Sequence, residues 1–413
     1  MRKNKNYKLS RNQVIVKLLA LFTLAATLAG IFVYLFSPNR SNAAEMGSDY
    51  LSYITGASLV RENQGNKIYD LATQSAYQKE ILALRDKEGV LPFKSPPFVA
   101  ILFLPLTFFS FLTGYKVFAI FNLTLLALLT FLFAKTFPEV RKLSFWFLVP
   151  FLYLSSMQTI IAGQISFVTT LIVLALLVFL NSKRVFAAGI VSSLLILKPQ
   201  YVIAIPFFLL LSKKRKSFMT GFALALMFLI LISIAVSGLP ALLGYPSYLL
   251  STENPTYGSH LQDMFTLNST LLSIPDVERL GYGYSLLING IFYLAALYLF
   301  MRRYTKVSYT QSFISATILF LVFAVHVQSH DLSVLLVPVF LLLHTAVLEK
   351  ERGKNLILLL ALSLFLLPNI IRYISPIAGT LVSLVLAVSF LYLDPKMFSP
   401  AFSIKERSAN GSS

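Results

Sequence analysis

Runs of apolar residues, most near the length of a membrane helix, alternate along this chain with polar connections. The first run extends from Val14 to Phe36. It meets the ~20 residues needed to cross a bilayer and exceeds the ~7–15-residue core of a signal peptide. The N-terminus is basic (Arg2, Lys3, Lys5, Lys8 and Arg11 ahead of the run, Lys17 at its start), so a retained helix with a cytoplasmic N-terminus is expected. Further runs fall at about 98–112, 116–134, 143–161, 165–180, 185–211, 218–237, 284–301, 310–328, 331–348, 355–373 and 377–393. Together they predict an all-α polytopic integral membrane protein with about twelve membrane helices. Between the first two runs, residues 37–95 are polar, with Tyr50, Tyr53, Ile54, Ala57 and Val60 at helical spacing. That pattern predicts one or two amphipathic helices on the membrane surface.

The connections carry the orientation. Lys213-Lys214-Arg215-Lys216, Arg302-Arg303 with Lys306, and Lys350 with Arg352 and Lys354 are basic, which assigns them to the cytoplasm. Counting from them puts residues 37–95, residues 238–283, the turn from His326 to Asp331 and that from Tyr373 to Pro376 outside it. The middle of the chain conflicts with strict alternation, because Lys135, Arg141, Lys142 and Lys183-Arg184 also read as cytoplasmic. A second topology stays open, in which 98–112 is re-entrant and 185–211 breaks at Lys198-Pro199, where proline interrupts helical hydrogen bonding. The expected organisation is one membrane domain over residues 1–400 and a disordered, Ser-rich cytoplasmic tail at 401–413.

Composition narrows the class. Of 413 residues 57% are hydrophobic and 13% charged, about half the charged share of a soluble domain. Disordered, coiled-coil and ordinary soluble enzymes are excluded. The net charge of +18 lies in clusters between apolar runs, which points to membrane orientation and away from nucleic acid. With no cysteine, disulfides and thiolate chemistry are excluded. No phosphate-binding or dinucleotide glycine motif is present, so an ATP-driven pump lacks support.

Ionisable groups inside a membrane protein are costly and are functional candidates by default. Asp49, in "GSDY" at the outer interface, is either a general base or a helix cap ahead of Tyr50; spacing alone favours the cap. Lys198, in "LKPQY", is fixed by Pro199 between apolar stretches too short to span separately. It either snorkels or faces a polar cavity and binds an anion such as a lipid phosphate. His326 and His330, in "HVQSHD", stand at helical i, i+4 spacing. They bind a phosphate or a metal, transfer a proton, or simply face water. Gln164, in "AGQIS", is a positioning group or a helix–helix hydrogen bond. His344 and His260, each alone, read as structural.

Five elements in order resemble glycosyltransferase family 87, within the polytopic GT-C glycosyltransferases. "GSDYLSYITGASLV" with Ile68 to Asp70 is similar to the family's first loop, and "SPPFVAILFLPL" to its Pro-Pro segment. "AGQISFVTTLIVLAL" with "AAGIVSSLLILKPQ" is similar to its Gly-Gln and Lys-Pro elements. "LNSTLLSI" looks like its Asn-Ser loop and "HVQSHDLSVLLVP" its late His-Asp turn. The likeness spans about residues 45–340. It implies a GT-C-type fold and inverting transfer of a hexose, most often mannose, from a polyprenyl-phosphate donor. The acceptor would be a lipid or glycan on the extracytoplasmic side of the cell membrane. Carried over by residue, Asp49 would be the base, which shifts the balance there from capping to catalysis. Lys198 and His326 or His330 would hold the leaving phosphate, and Gln164 and Gln200 would position sugar or phosphate. The bilayer, donor and acceptor are the expected partners; no cofactor and no metal site are expected, with any divalent-metal requirement left open. Two rivals remain: a transporter or flippase of lipid-linked sugars, which should show broken helices in paired halves, and a surface-polysaccharide polymerase or ligase.

Overall fold

The computed structural model describes residues 11–36, 47–81, 90–253, 255–257, 264–349 and 353–398. His260, Lys350, Arg352, the basic residues up to Lys8 and the expected tail at 401–413 lie outside them. The described chain is helical throughout, and its one β-bridge, antiparallel, joins Met264 to Gln328.

The helices run in order as α1 (Arg11–Phe36), α2 (Ser48–Arg61), α3 (Leu71–Ile81), α4 (Pro97–Phe103), α5 (Phe111–Thr136), α6 (Val149–Leu152), α7 (Leu154–Ala162) and α8 (Ser166–Asn181). They continue as α9 (Val185–Ser193), α10 (Ile205–Leu211), α11 (Arg215–Thr252), α12 (Leu267–Leu272), α13 (Pro275–Leu280) and α14 (Tyr282–Arg303). The last four are α15 (Tyr309–Phe323), α16 (Leu336–Leu348), α17 (Lys354–Tyr373) and α18 (Pro376–Phe390).

Among the described residues six elements are long and apolar enough to cross a bilayer: α1, α5, α11, α14, Ser329–Leu348 and α17. Apolar runs outnumber them because proline, which lacks the N–H that continues a helix, interrupts several. Pro105 turns α4 into a 3-10 segment, so Pro97–Phe108 stays short. Pro150 lies in the four-residue α6, and the run at 143–161 becomes a string of short pieces. At Lys198 the backbone is extended (φ −117°, ψ 98°) between the 3-10 turns Leu194–Leu197 and Pro199–Ala204. The run at 185–211 is thus two half-length arms that meet at Lys198.

Two expectations need correction. The first loop does form helices, but α2 is not an amphipathic surface helix: nearly all its residues from Tyr50 to Leu59 are buried. It is wedged against α4 and α5, where the Tyr53 ring stacks on Phe103 with centroids 4.5 Å apart. Residues 238–283, expected as a loop, begin as the continuation of α11, bent at Gly238 (φ 76°, ψ 160°). Glycine is the residue that tolerates this conformation.

The basic stretches at 213–216 and 302–306 lie together at one end of the bundle. Arg215 donates to the Tyr304 hydroxyl at 3.3 Å, and Arg303 reaches the Leu391 carbonyl at 3.2 Å. Phe137, beside the basic turn at 138–142, packs against His344 near the end of α16. α14 leads from this end to Tyr282 at the other, about 33 Å away at 1.5 Å per residue. The segment Pro97–Phe108 leaves from Ser95 and returns at Phe111, whose ring lies 5.5 Å from Tyr50 at the start of α2. Both its ends therefore belong to the half of the molecule away from the basic connections.

Candidate active site

At that far end opens a cavity of about 470 Å³. Its walls bring together all six side chains singled out in the sequence: Asp49, Gln164, Lys198, Gln200, His326 and His330.

Asp49 owes its place to two glycines. Gly47 starts α2 in the left-handed conformation (φ 72°) with no side-chain cap, and its N–H donates to the Ile161 carbonyl at 2.9 Å. Gly163 ends α7, also left-handed (φ 69°), and a Cβ there would come within 2.6 Å of the Tyr50 Cβ. The start of α2 can therefore abut the end of α7, and Asp49 comes to share a cavity wall with Gln164. Asp49 is in the first turn and is not the cap that spacing alone favours. The partial positive charge of the helix start suits its carboxylate. One turn on, the Tyr53 hydroxyl donates to Gln164 Oε1 at 2.9 Å. Burial pushes the Tyr53 phenol well up, and the Asp49 and Asp331 carboxylates add to this. Tyr53 remains a neutral donor.

The cavity floor is an ion pair. The Lys198 ammonium bonds Asp331 Oδ1 and reaches Ser166 Oγ at 3.1 Å. The other oxygen of Asp331 accepts from the Gln328 N–H at 3.0 Å, and His330 Nε2 stands 3.6 Å from it. Of the two readings of Lys198, the structure has it on the cavity, paired with a carboxylate. Gln200 follows on the 3-10 turn after Pro199.

At the rim stands a second cluster that sequence reading missed. Glu253, just past α11, places Oε1 at 2.5 Å from His326 Nδ1 and Oε2 at 3.4 Å from Lys94 Nζ. Burial alone would raise its carboxyl, but His326 and Lys94 outweigh that and hold it at about 2, down from 4.5. Burial pulls the Lys94 ammonium down, with Glu253 opposing. The two histidines do not share a helix face. α15 ends at Phe323, the chain extends through the bridge at Gln328, and His330 sits in the 3-10 turn Ser329–Leu335. His326 thus belongs to the rim and His330 to the floor.

One flank of the cavity is apolar, with Ile203, Leu249, Val202 and Leu250; Val202 and Leu250 are 48% and 57% exposed. Among the described residues no three His, Asp or Glu side chains converge as metal ligands would.

The model of glycosyltransferase family 87 matches residues 93–329, more than half of the chain. The chain belongs to glycosyltransferase family 87. It is a membrane glycosyltransferase, and in this family-87 enzyme the matched stretch holds Lys94, Gln164, Lys198, Gln200, Glu253 and His326. Asp49 precedes that stretch, and His330 with Asp331 follows it directly. Comparison with curated proteins and with solved structures gives no match.

Proposed function

We propose that this family-87 enzyme transfers a hexose, mannose foremost, from a polyprenyl-phosphate donor to a lipid or glycan hydroxyl. The transfer inverts the anomeric centre on the extracytoplasmic side of the cell membrane, with Asp49 as general base. The observation that carries the reading is one cavity that combines an uncapped carboxylate, groups suited to a phosphate and an apolar flank exposed towards lipid. The acceptor hydroxyl attacks C1 of the sugar and gives its proton to Asp49, while the C1–O bond breaks and its electron pair stays on the phosphate oxygen. A base within hydrogen-bond reach of the hydroxyl, about 2.6–3.2 Å, meets the geometric need. Donor groups aimed at the developing charge on phosphate meet the electrostatic one. The prenyl chain would lie along Val202, Ile203, Leu249 and Leu250.

The sidedness is supported by α14, which has Tyr282 on the cavity and Arg302 and Arg303 at its other end. Its length of about 33 Å is close to the hydrocarbon thickness, and the arginines mark the cytoplasmic side.

The test is sugar transfer by the purified chain in nanodiscs, from radiolabelled polyprenyl-phosphate-mannose to a membrane-lipid extract. Wild type should give labelled lipid, and a folded Asp49→Asn variant less than about one hundredth of it, the scale of a lost general base. Equal product from both would remove Asp49 from the chemistry.

A further inference from the structure

The proposed reaction offers three groups for the leaving phosphate, and the structure separates them. Lys198 is committed to Asp331 and Ser166. His330 lies beside the same carboxylate, its side chain 7% exposed. His326 differs: its side chain is 22% exposed, it lines the cavity, and its Nδ1 is taken up by Glu253. No bond from a described residue engages its Nε2, which is left for the cavity.

We infer that Glu253 is a positioning residue, which fixes the His326 ring by its Nδ1 so that Nε2 engages the phosphate oxygen leaving C1. The inference rests on the polyprenyl-phosphate reading above and assigns the work within that site. Three segments distant in sequence must converge for the arrangement to exist: the stretch before α4 brings Lys94, the end of α11 brings Glu253, and the stretch after α15 brings His326. Glu253 is ionised under ordinary conditions, because its two neighbours hold its carboxyl low. A carboxylate that accepts from one ring nitrogen fixes the orientation of the ring and presents the other nitrogen to the cavity. As the C1–O bond breaks, the phosphate gains a negative charge and its affinity for a proton rises. For this the ring must carry a proton on each nitrogen, Nδ1–H donating to Glu253 and Nε2–H donating to that phosphate oxygen, while the acceptor's proton goes to Asp49. Lys94, on the second oxygen of Glu253, holds the carboxylate from behind and limits its swing. A histidine without that anchor would still bear a ring in the cavity, but would spread its Nε2 over several rotamers.

The test uses the leaving group itself, so that the acceptor need not be known. Binding of a tritiated prenyl phosphate and of the matching prenyl alcohol is measured on the full chain in nanodiscs. The proteins are wild type, Glu253→Gln, His326→Gln and the double variant, each checked by thermal unfolding. Glu253→Gln should weaken the prenyl phosphate about tenfold, the scale of a lost orienting partner, and leave the alcohol unchanged. The double variant should bind no more weakly than His326→Gln alone. Equal weakening of phosphate and alcohol would make Glu253 a structural residue, and additive losses would show that it acts independently of His326. Either result overturns the inference. If wild type binds neither ligand, the polyprenyl-phosphate reading falls and the inference with it.

Discussion

At the floor of the cavity the Lys198 and Asp331 side chains are 6% and 1% exposed; at the rim Glu253, Lys94 and His326 are 11%, 23% and 22% exposed. The floor is buried, one charge against one, closed further by Ser166 and the Gln328 N–H. The rim sets one carboxylate between a lysine and a histidine and is partly exposed. Such a difference decides what each can do. A buried pair is costly to disturb, since removing one partner strands the other away from solvent. It suits holding α8, the Lys198 break and the 329–335 turn in register. A more exposed cluster with a ring nitrogen to spare can meet a charge that arrives and leaves. The sequence offers Lys198 and the two histidines alike as phosphate ligands; the structure pairs Lys198 with Asp331 and places His326 beside Glu253.

The comparison can be broken most sharply at the floor. Lys198→Met or Asp331→Asn alone should destabilise the protein by about 3–5 kcal/mol, whereas Lys198→Met with Asp331→Leu should recover most of that loss. Thermal unfolding in detergent would read this, and a double variant no more stable than the worse single one would contradict it. The rim should respond to acid. Because the Glu253 carboxyl is depressed in the folded protein, its contribution is full above its ordinary 4.5 and is lost as pH falls towards about 2. That contribution is on the order of 3 kcal/mol, and Glu253→Gln should flatten the corresponding drop in melting temperature across this window. An unchanged acid profile in the variant would assign the drop to other carboxylates. A smaller effect is expected at Gly163→Ala, which forces a side chain into a left-handed position. The cost is about 1–3 kcal/mol, and transfer activity should fall with it because Asp49 is carried by the same junction. Last, Asp276 and Arg279 form an exposed pair at 3.7 Å; Arg279→Ala should leave melting and transfer unchanged, as isolated surface pairs do.

The sequence makes much of this legible, for local reasons. Apolar length announces membrane helices, and a lysine followed by proline between two half-length runs announces a break, since proline cannot continue the ladder. Gln164, Gln200, Asp49 and the histidines stand out because polar groups are scarce in such a chain. The fate of α2 was not legible: its periodicity suits a surface helix, and only the surrounding Phe93, Phe103 and Tyr115 bury its other faces. The His326–His330 spacing misleads because α15 stops at Phe323. Asp331 stands beside His330 in the sequence, but nothing local marks its pairing with a lysine 133 residues away. Glu253 and Lys94 are single charges in polar stretches, separated by 159 residues. No short-range pattern marks them as partners.

The bend at Gly238 has a consequence for how the enzyme sits in lipid. A straight helix of 38 residues would measure about 57 Å, far beyond a hydrocarbon core of about 30 Å. Only the stretch up to Ser237, about 35 Å at the same rise, matches that core. The remainder, with Leu239, Leu243 and Leu250 exposed, runs on past the bend, and its end brings Leu249, Leu250 and Glu253 to the cavity wall. One wall of the cavity is thereby tied to the end of a membrane-length helix, so a tilt of that helix would be felt at the cavity mouth.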